Sequence, residues 1–323
     1  MNPKKASSRL SFEQKMKYVS LVLLVFFTSA QILCMRYART REDSKYDSNT
    51  AVLLGEVFKL IMSFLLLSSE KGGLRKAYGQ LELERTNHQR DVLLHAVPAL
   101  LYTIQNNFMY LAISNLDAAV FQVCSQLKLI TAAIFSVTFL KKQISSFQWL
   151  SLFILGVGLV LVNMRSGSSA DLSENTNMVL GLFSVLVFCC TSGFAGVFME
   201  KLFKDNKFSV WSRNIWLALF SILSGVLGIV FKDWRLLIPS NFFKGYSFWA
   251  WLAVILLAIG GLIIAMVLKY ADNIIKAFGN AASIVVSTFL SVFLFDFVIT
   301  SNYICGCVLV IIAIVMYSSG QKK

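Results

Sequence analysis

The chain has 323 residues, 57% of them hydrophobic and only 15% charged, with a mean hydropathy of +0.68. A soluble domain carries about a quarter charged residues, so this composition excludes an ordinary water-soluble protein. The net charge of +13 does not point to nucleic acid, because Lys and Arg lie mostly in short segments between apolar runs, where membrane topology explains them. Cys34, Cys124, Cys189, Cys190, Cys305 and Cys307 all fall within apolar segments, unlike a secreted disulfide framework. With only His88 and His95 beside them, no Cys/His zinc site is expected.

The first apolar run, Tyr18–Met35, follows Lys4, Lys5, Arg9, Lys15 and Lys17. It lacks a small-residue cleavage site and many spans follow, so it reads as an uncleaved first helix rather than a signal peptide. Further runs of about 18–24 residues, the length that crosses a hydrocarbon core of roughly 30 Å, occupy Thr50–Ser68, Val92–Ile113, Ala118–Leu140 and Phe147–Met164. The second half gives Met178–Met199, Val210–Phe231, Ser247–Leu268, Asn273–Phe295 and Ile299–Ser318. The expected fold is an all-α polytopic membrane protein of ten transmembrane helices. Residues 1–17 form an N-terminal tail, 18–164 and 178–318 two five-helix repeats, 165–177 a linker between them, and 319–323 a C-terminal tail.

Ten spans leave both termini on one side. Seventeen Lys and Arg fall on that side and eight on the other, which predicts cytosolic termini and a luminal linker. A shift of 155 residues lays Asn115-Leu116-Asp117 over Tyr270-Ala271-Asp272 and Ile144-Ser145 over Ile299-Thr300. Each Asp stands where a carboxylate caps a helix start. Five spans per copy is an odd number, so the copies insert with opposite topology. Inverted repeats around a central cavity are a common transporter design.

Charges inside a span cost at least roughly 2.5–3.5 kcal/mol each on insertion scales. Lys128 has about ten residues of expected helix on either side, and Lys276 lies one turn into the ninth span. Two readings stand open: a buried ion pair with Glu56 or Glu200, or an anion site suited to phosphate. Phe121, Ser125 and Lys128 form a stripe at i, i+4 and i+7, and Tyr102, Asn106 and Tyr110 form another, with Gln105 and Asn107 beside it. Arg213 and Asn214 enter an otherwise apolar seventh span, and Ala218 lies one turn further on the Asn214 face. Amides read a nucleobase edge and aromatics stack on its face; amides also bond helix to helix in membranes. Glu56 and Lys59, at i and i+3, are spaced to pair with each other. Gly260-Gly261 and Gly193-Phe194-Ala195-Gly196 suit close helix packing. There is no H-E-x-x-H, G-x-S-x-G or P-loop, so neither an enzyme nor an ATP-driven pump is expected.

Seven runs stand in the order and spacing of a known family. They are Tyr102-Thr-Ile-Gln-Asn-Asn107, Ser114-Asn-Leu-Asp-Ala-Ala119, Gln126-Leu-Lys128, Ser192-Gly-Phe-Ala-Gly196, Glu200-Lys201, Arg213-Asn-Ile215 and Lys269-Tyr-Ala-Asp-Asn-Ile274. From Arg36 to Ser318 the chain resembles the Golgi nucleotide-sugar transporters of the drug/metabolite transporter superfamily. Within them it resembles the branch for CMP-sialic acid, UDP-galactose and UDP-N-acetylglucosamine. The resemblance implies ten helices and exchange of a cytosolic nucleotide sugar for the luminal nucleoside monophosphate. It also implies that Lys128 and Lys276 contact phosphate, that Asn106 and Asn214 line the nucleotide cavity beside Gly193, and that Arg36, Glu56 and Lys59 stand towards the sugar. The family commonly has tyrosine where this chain has Phe121, Ser125 and Phe198, glutamine at Trp216 and glycine at Ala277.

Arg36-Tyr-Ala-Arg-Thr40 and Asp296-Phe-Val-Ile-Thr300 look nearest to the UDP-N-acetylglucosamine members. The expected function is therefore alternating-access antiport of UDP-N-acetylglucosamine and/or UDP-galactose against UMP across the Golgi membrane. CMP-sialic acid/CMP exchange and a non-transporting membrane scaffold that keeps the fold are the alternatives. The expected site comprises Lys128 and Lys276 for phosphate, and Asn106, Phe121, Ser125, Gly193, Asn214 and Ala218 for the nucleoside. Arg36, Glu56, Lys59 and Tyr102 complete it on the sugar side. No cofactor or metal is expected; partners are the nucleotide ligands and the lipid bilayer, with a homodimer or Golgi glycosyltransferases as further candidates.

Overall fold

The computed structural model describes residues 3–40, 46–116, 118–163, 177–205, 207–295 and 300–320. Among them the regular structure is all helical. In chain order the helices are α1 (Pro3–Thr40), α2 (Ser48–Lys71), α3 (Leu74–Asn87), α4 (Gln89–Leu93), α5 (Ala96–Asn115), α6 (Ala118–Ser125) and α7 (Leu127–Leu140). There follow α8 (Ser146–Asn163), α9 (Met178–Lys204), α10 (Val210–Asp233), α11 (Pro239–Phe242), α12 (Phe248–Tyr270), α13 (Asn273–Phe295) and α14 (Ser301–Gly320). A 3-10 turn, Trp234–Leu237, links α10 to α11.

Seven helical stretches among the described residues are long and apolar enough to cross a membrane: Glu13–Met35, Ser48–Lys71, Val123–Leu140, Met178–Lys204, Val210–Phe231, Phe248–Tyr270 and Ser301–Gly320. Their outer faces carry bare apolar side chains, with Val179, Phe231 and Phe248 among the most exposed. Such a surface suits lipid rather than water.

Helix ends follow local chemistry. The Asp47 carboxylate accepts from the Asn49 and Thr50 N–H groups at 2.7 and 3.2 Å and starts α2. Gly72, with φ of 76°, ends α2 in the left-handed conformation that glycine adopts without strain. Ser209 and Ser247 cap α10 and α12 in the same way as Asp47 caps α2.

The chain divides into two compact units. The first, Met1–Leu100 with Met199–Asp272, packs α1 on α12 and α2 on both α10 and α12. Gly55 lies against Leu257, where an added Cβ would stand 2.7 Å from Cδ2. The glycine therefore allows close approach of α2 and α12, as small residues do between membrane helices. The second unit, Leu101–Phe198 with Asn273–Lys323, packs α8 on α14, α7 on α13 and α6 on α8. Phe188 and Cys189 of α9 bury against Ala112 and Leu116 of α5. Gly158 and Gly306 bring α8 and α14 into backbone contact: a Cβ on Gly306 would stand 2.7 Å from the Gly158 carbonyl.

Three features depart from the sequence reading. The expected tail is helical from Pro3, continuous with the first span. The basic segment between the second and third spans is helix α3, whose Ala77 buries against Leu67 of α2 and Ile215 of α10. The fourth span, expected as one helix over Ala118–Leu140, is two, α6 and α7, stepped at Gln126. Asp117 and most of the expected 165–177 linker lie outside the described residues.

Candidate functional site

The step in the fourth span puts Lys128 in the first turn of α7 rather than mid-helix. The Gln126 N–H bonds the Val123 carbonyl at 3.2 Å, and the Gln126 carbonyl accepts from Leu129 at 3.0 Å. Both are i→i+3 bonds, the tighter 3-10 pattern that marks hinges within helices. Gln126 keeps right-handed helical dihedrals, φ −70° and ψ −15°, so the step is a local tightening between α6 and α7 rather than an open gap.

Helix α9 lies along this step. The Cys189 thiol donates towards the Cys124 and Ser125 carbonyls at 3.7 and 3.6 Å. The Thr131 hydroxyl reaches the Cys189 carbonyl at 2.8 Å and the Lys128 carbonyl at 3.1 Å. One turn along α9, Gly193 rests on α7; a Cβ there would stand 2.6 Å from Thr131 Oγ1 and 2.8 Å from the Ala132 nitrogen. Gly196 rests on Asn273, the first residue of α13. Both glycines thus serve close packing within this unit.

The second unit holds both expected phosphate lysines, on the packed pair α7 and α13. Lys128 is half-buried, and among the described residues no carboxylate pairs with it. The two carboxylates considered as partners bind other lysines: Glu56 takes Lys59, and the fully buried Glu200 takes Lys204, each at 2.7 Å. Lys276 is half-buried one turn into α13.

The other expected residues of this unit occupy varied settings. Phe121 packs against Phe188 at 6.1 Å between ring centroids, within the α5–α9 cluster. Ser125 is buried at the step, Tyr102 is half-buried, and Asn106 is exposed. Asn107 Nδ2 bonds the Thr103 carbonyl of its own helix at 3.0 Å, so this amide caps its own backbone. The Tyr110 side chain lies outside the described residues.

In the first unit, Asn214 and Ala218 are buried on α10, and the Asn214 amide nitrogen has no hydrogen-bond partner among the described residues. A buried donor left unmade costs about 1–3 kcal/mol. Glu56 and Lys59 form the i, i+3 pair that their spacing allows, with the Lys59 stem laid over Gly261. The Arg36 side chain lies outside the described residues.

Sequence reading missed Thr131 and Cys189, which look like ordinary apolar-helix residues. It missed Glu84 as well. This buried carboxylate accepts from Trp216 Nε1 at 2.9 Å and Gln80 Nε2 at 3.0 Å. Trp216, one of the departures from the family pattern, therefore anchors α3 to α10. The arrangement could not be foreseen, because Glu84 and Gln80 lie in a segment that reads as loop.

The pattern described as nucleotide-sugar transporter matches residues 12–318. A UDP-N-acetylglucosamine transporter of Homo sapiens is 45% identical over 313 residues, covering 95% of this chain and 96% of its own. A UDP-N-acetylglucosamine/UDP-N-acetylgalactosamine transporter of Caenorhabditis elegans is 40% identical over 324 residues, with 95% of each chain covered. A UDP-galactose translocator of Mus musculus is 41% identical over 313 residues, covering 96% of this chain and 80% of its own. One solved crystal structure superposes with a TM-score of 0.66 over 93% of this chain and 97% of that one. Its 14% identity makes that a likeness of fold alone.

Proposed function

The chain belongs to the nucleotide-sugar transporter family, and from that premise we propose that it exchanges a cytosolic UDP-sugar for luminal UMP by alternating access. The family is one of transporters, not enzymes. UDP-N-acetylglucosamine and UDP-galactose are the proposed cargoes, on the strength of what the similar human, worm and mouse proteins are named for.

The observation that carries the mechanism is Lys128, set at a helix start with no carboxylate beside it among the described residues. Together with Lys276 it gives the phosphates two cationic partners, and charge-assisted bonds of this kind are the strong ones. A ligand shifts a conformational equilibrium only by its differential affinity for the states. Tighter binding at the crossing intermediate than in the open states speeds the loaded carrier over the empty one, which is what exchange requires.

Two inverted five-helix repeats in a ten-helix chain are the proposed frame. If α1, α2, α5, α6–α7 and α8 correspond to α9, α10, α12, α13 and α14, then the pairs α2–α10, α7–α13 and α8–α14 are each their own counterpart. The pairs α1–α12 and α5–α9 exchange with one another. The observed pairings fit that scheme. The Lys and Arg distribution supports cytosolic termini, and the resemblance supports the Golgi membrane.

The test is uptake of labelled UDP-N-acetylglucosamine, UDP-galactose and CMP-sialic acid into proteoliposomes preloaded with UMP or CMP. Strong stimulation of UDP-sugar uptake by internal UMP is expected. Equal or better stimulation by CMP overturns the uridine assignment, and uptake indifferent to either nucleotide overturns exchange.

A further inference from the structure

We infer that Thr131 and Cys189 are positioning residues for Lys128, holding the stepped start of α7 so that its lysine meets phosphate. The inference rests on the phosphate reading of Lys128 given above and adds what sets that lysine in place.

Where a membrane helix tightens to i→i+3 bonds, backbone groups lose their usual i→i+4 partners, and in lipid each must find another. At this step α9 supplies them from one residue. The Cys189 thiol reaches the carbonyls of Cys124 and Ser125, the two residues just before Gln126. Thiol bonds are weak individually. The stronger link is the Thr131 hydroxyl, which reaches both the Cys189 carbonyl and the carbonyl of Lys128 itself. A hydroxyl inside a helix usually bonds only its own preceding turn; Thr131 ties that turn to a second helix.

Cys189, Gly193 and Gly196 stand at i, i+4 and i+7, one stripe of α9. Gly193 lacks the Cβ that would displace the Thr131 hydroxyl, and Gly196 lacks the one that would collide with Asn273. One face of α9 therefore seats the starts of α7 and α13, the two helices that bear Lys128 and Lys276. Sub-ångström placement of a cation against a phosphate decides charge-assisted bonding. Loosening the seat is therefore read out in phosphate recognition before it is read out in folding.

The experiment compares UMP and uridine binding, and ligand-free melting, for wild type, Thr131→Val, Thr131→Ser, Cys189→Ala, Cys189→Ser and Lys128→Met. Loss of one such bond is expected to weaken UMP binding about three- to tenfold while uridine binding and the melting temperature stay near wild type. The serine variants, which keep a donor, are expected to bind UMP as wild type does. If Thr131→Val and Cys189→Ala weaken UMP and uridine equally, or only lower the melting temperature, the seat is mere packing and the inference is overturned. Should Cys189→Ala fail to fold, Thr131→Val decides alone. If Lys128→Met itself keeps the wild-type preference for UMP over uridine, the phosphate reading has failed; if it loses that preference while Thr131→Val keeps it, only the positioning role has.

Discussion

Two lysines in spanning helices meet different fates here. Lys59 in α2 is 7% exposed and bonds Glu56, one turn away, at 2.7 Å. Lys128 in α7 is half-buried at a helix step, and among the described residues no carboxylate reaches it. The same side chain thus completes a local pair in one unit and has no carboxylate beside it, among the described residues, in the other. Glu84 is a third case, a buried carboxylate satisfied by the neutral donors Trp216 and Gln80. A charge in the membrane is therefore not by itself a site; its partners decide.

The largest effect should fall on folding at the paired lysine. Breaking a buried pair on one side leaves a charge unmatched, at about 3–5 kcal/mol. Lys59→Met is expected to lower ligand-free stability by about that amount, and the double variant Lys59→Met/Glu56→Gln to recover most of it. Denaturation monitored in detergent measures both, and a double variant no better than the single one would deny that the pair is the cause.

At Lys128 the pattern should invert. Lys128→Met and Lys276→Met are each expected to weaken UMP binding by roughly 1.5–3 kcal/mol, the worth of a hydrogen bond to a charged group. Lys128→Met should do so without lowering ligand-free stability. Removing both should leave UMP and uridine almost equally poor ligands by calorimetry. A double variant that prefers UMP by the wild-type margin would take phosphate away from these lysines.

Trp216→Phe keeps a ring but removes the donor to Glu84. It should lower stability by about 1–2 kcal/mol and leave the ratio of UMP to uridine affinity unchanged. A changed ratio would put Trp216 in the nucleotide site rather than under α3. The smallest effect is expected for Lys269→Met. That lysine lies in the last turn of α12, its ammonium 5.4 Å from the Tyr270 ring centroid, and its loss should barely move UMP binding.

The spans could be read from the sequence because apolar runs of membrane length need no tertiary information. The Glu56–Lys59 pair could be read because i, i+3 spacing already places the two side chains together. The step at Gln126 could not: Val123-Cys-Ser-Gln-Leu127 contains no Pro or Gly, and what stabilises it comes from Cys189, 63 positions after Gln126 in the chain. Helix α3 was hidden for a related reason. Its inner face is Ala77, Leu81 and Glu84, a stripe with one large apolar side chain that does not register as amphipathic until Leu67, Ile215 and Trp216 are set against it. Gly193 was legible as a packing residue, but its neighbour Thr131 was not.

The seam between α8 and α14 has a consequence for how this protein can change over generations. Where Gly158 and Gly306 meet, the spacer between two helices is bare main chain, and one added methyl at Gly306 would stand 2.7 Å from both a carbonyl oxygen and an amide nitrogen. Most interiors can drift by trading a methylene here for one there. At Gly306 alanine, the smallest step away from glycine, is already too large, whereas at Gly158 a Cβ would stand 3.0 Å from Val310 and need the seam to give by a few tenths of an ångström. Drift by single methyl steps is therefore closed at Gly306 and open at Gly158 only where Val310 shifts with it.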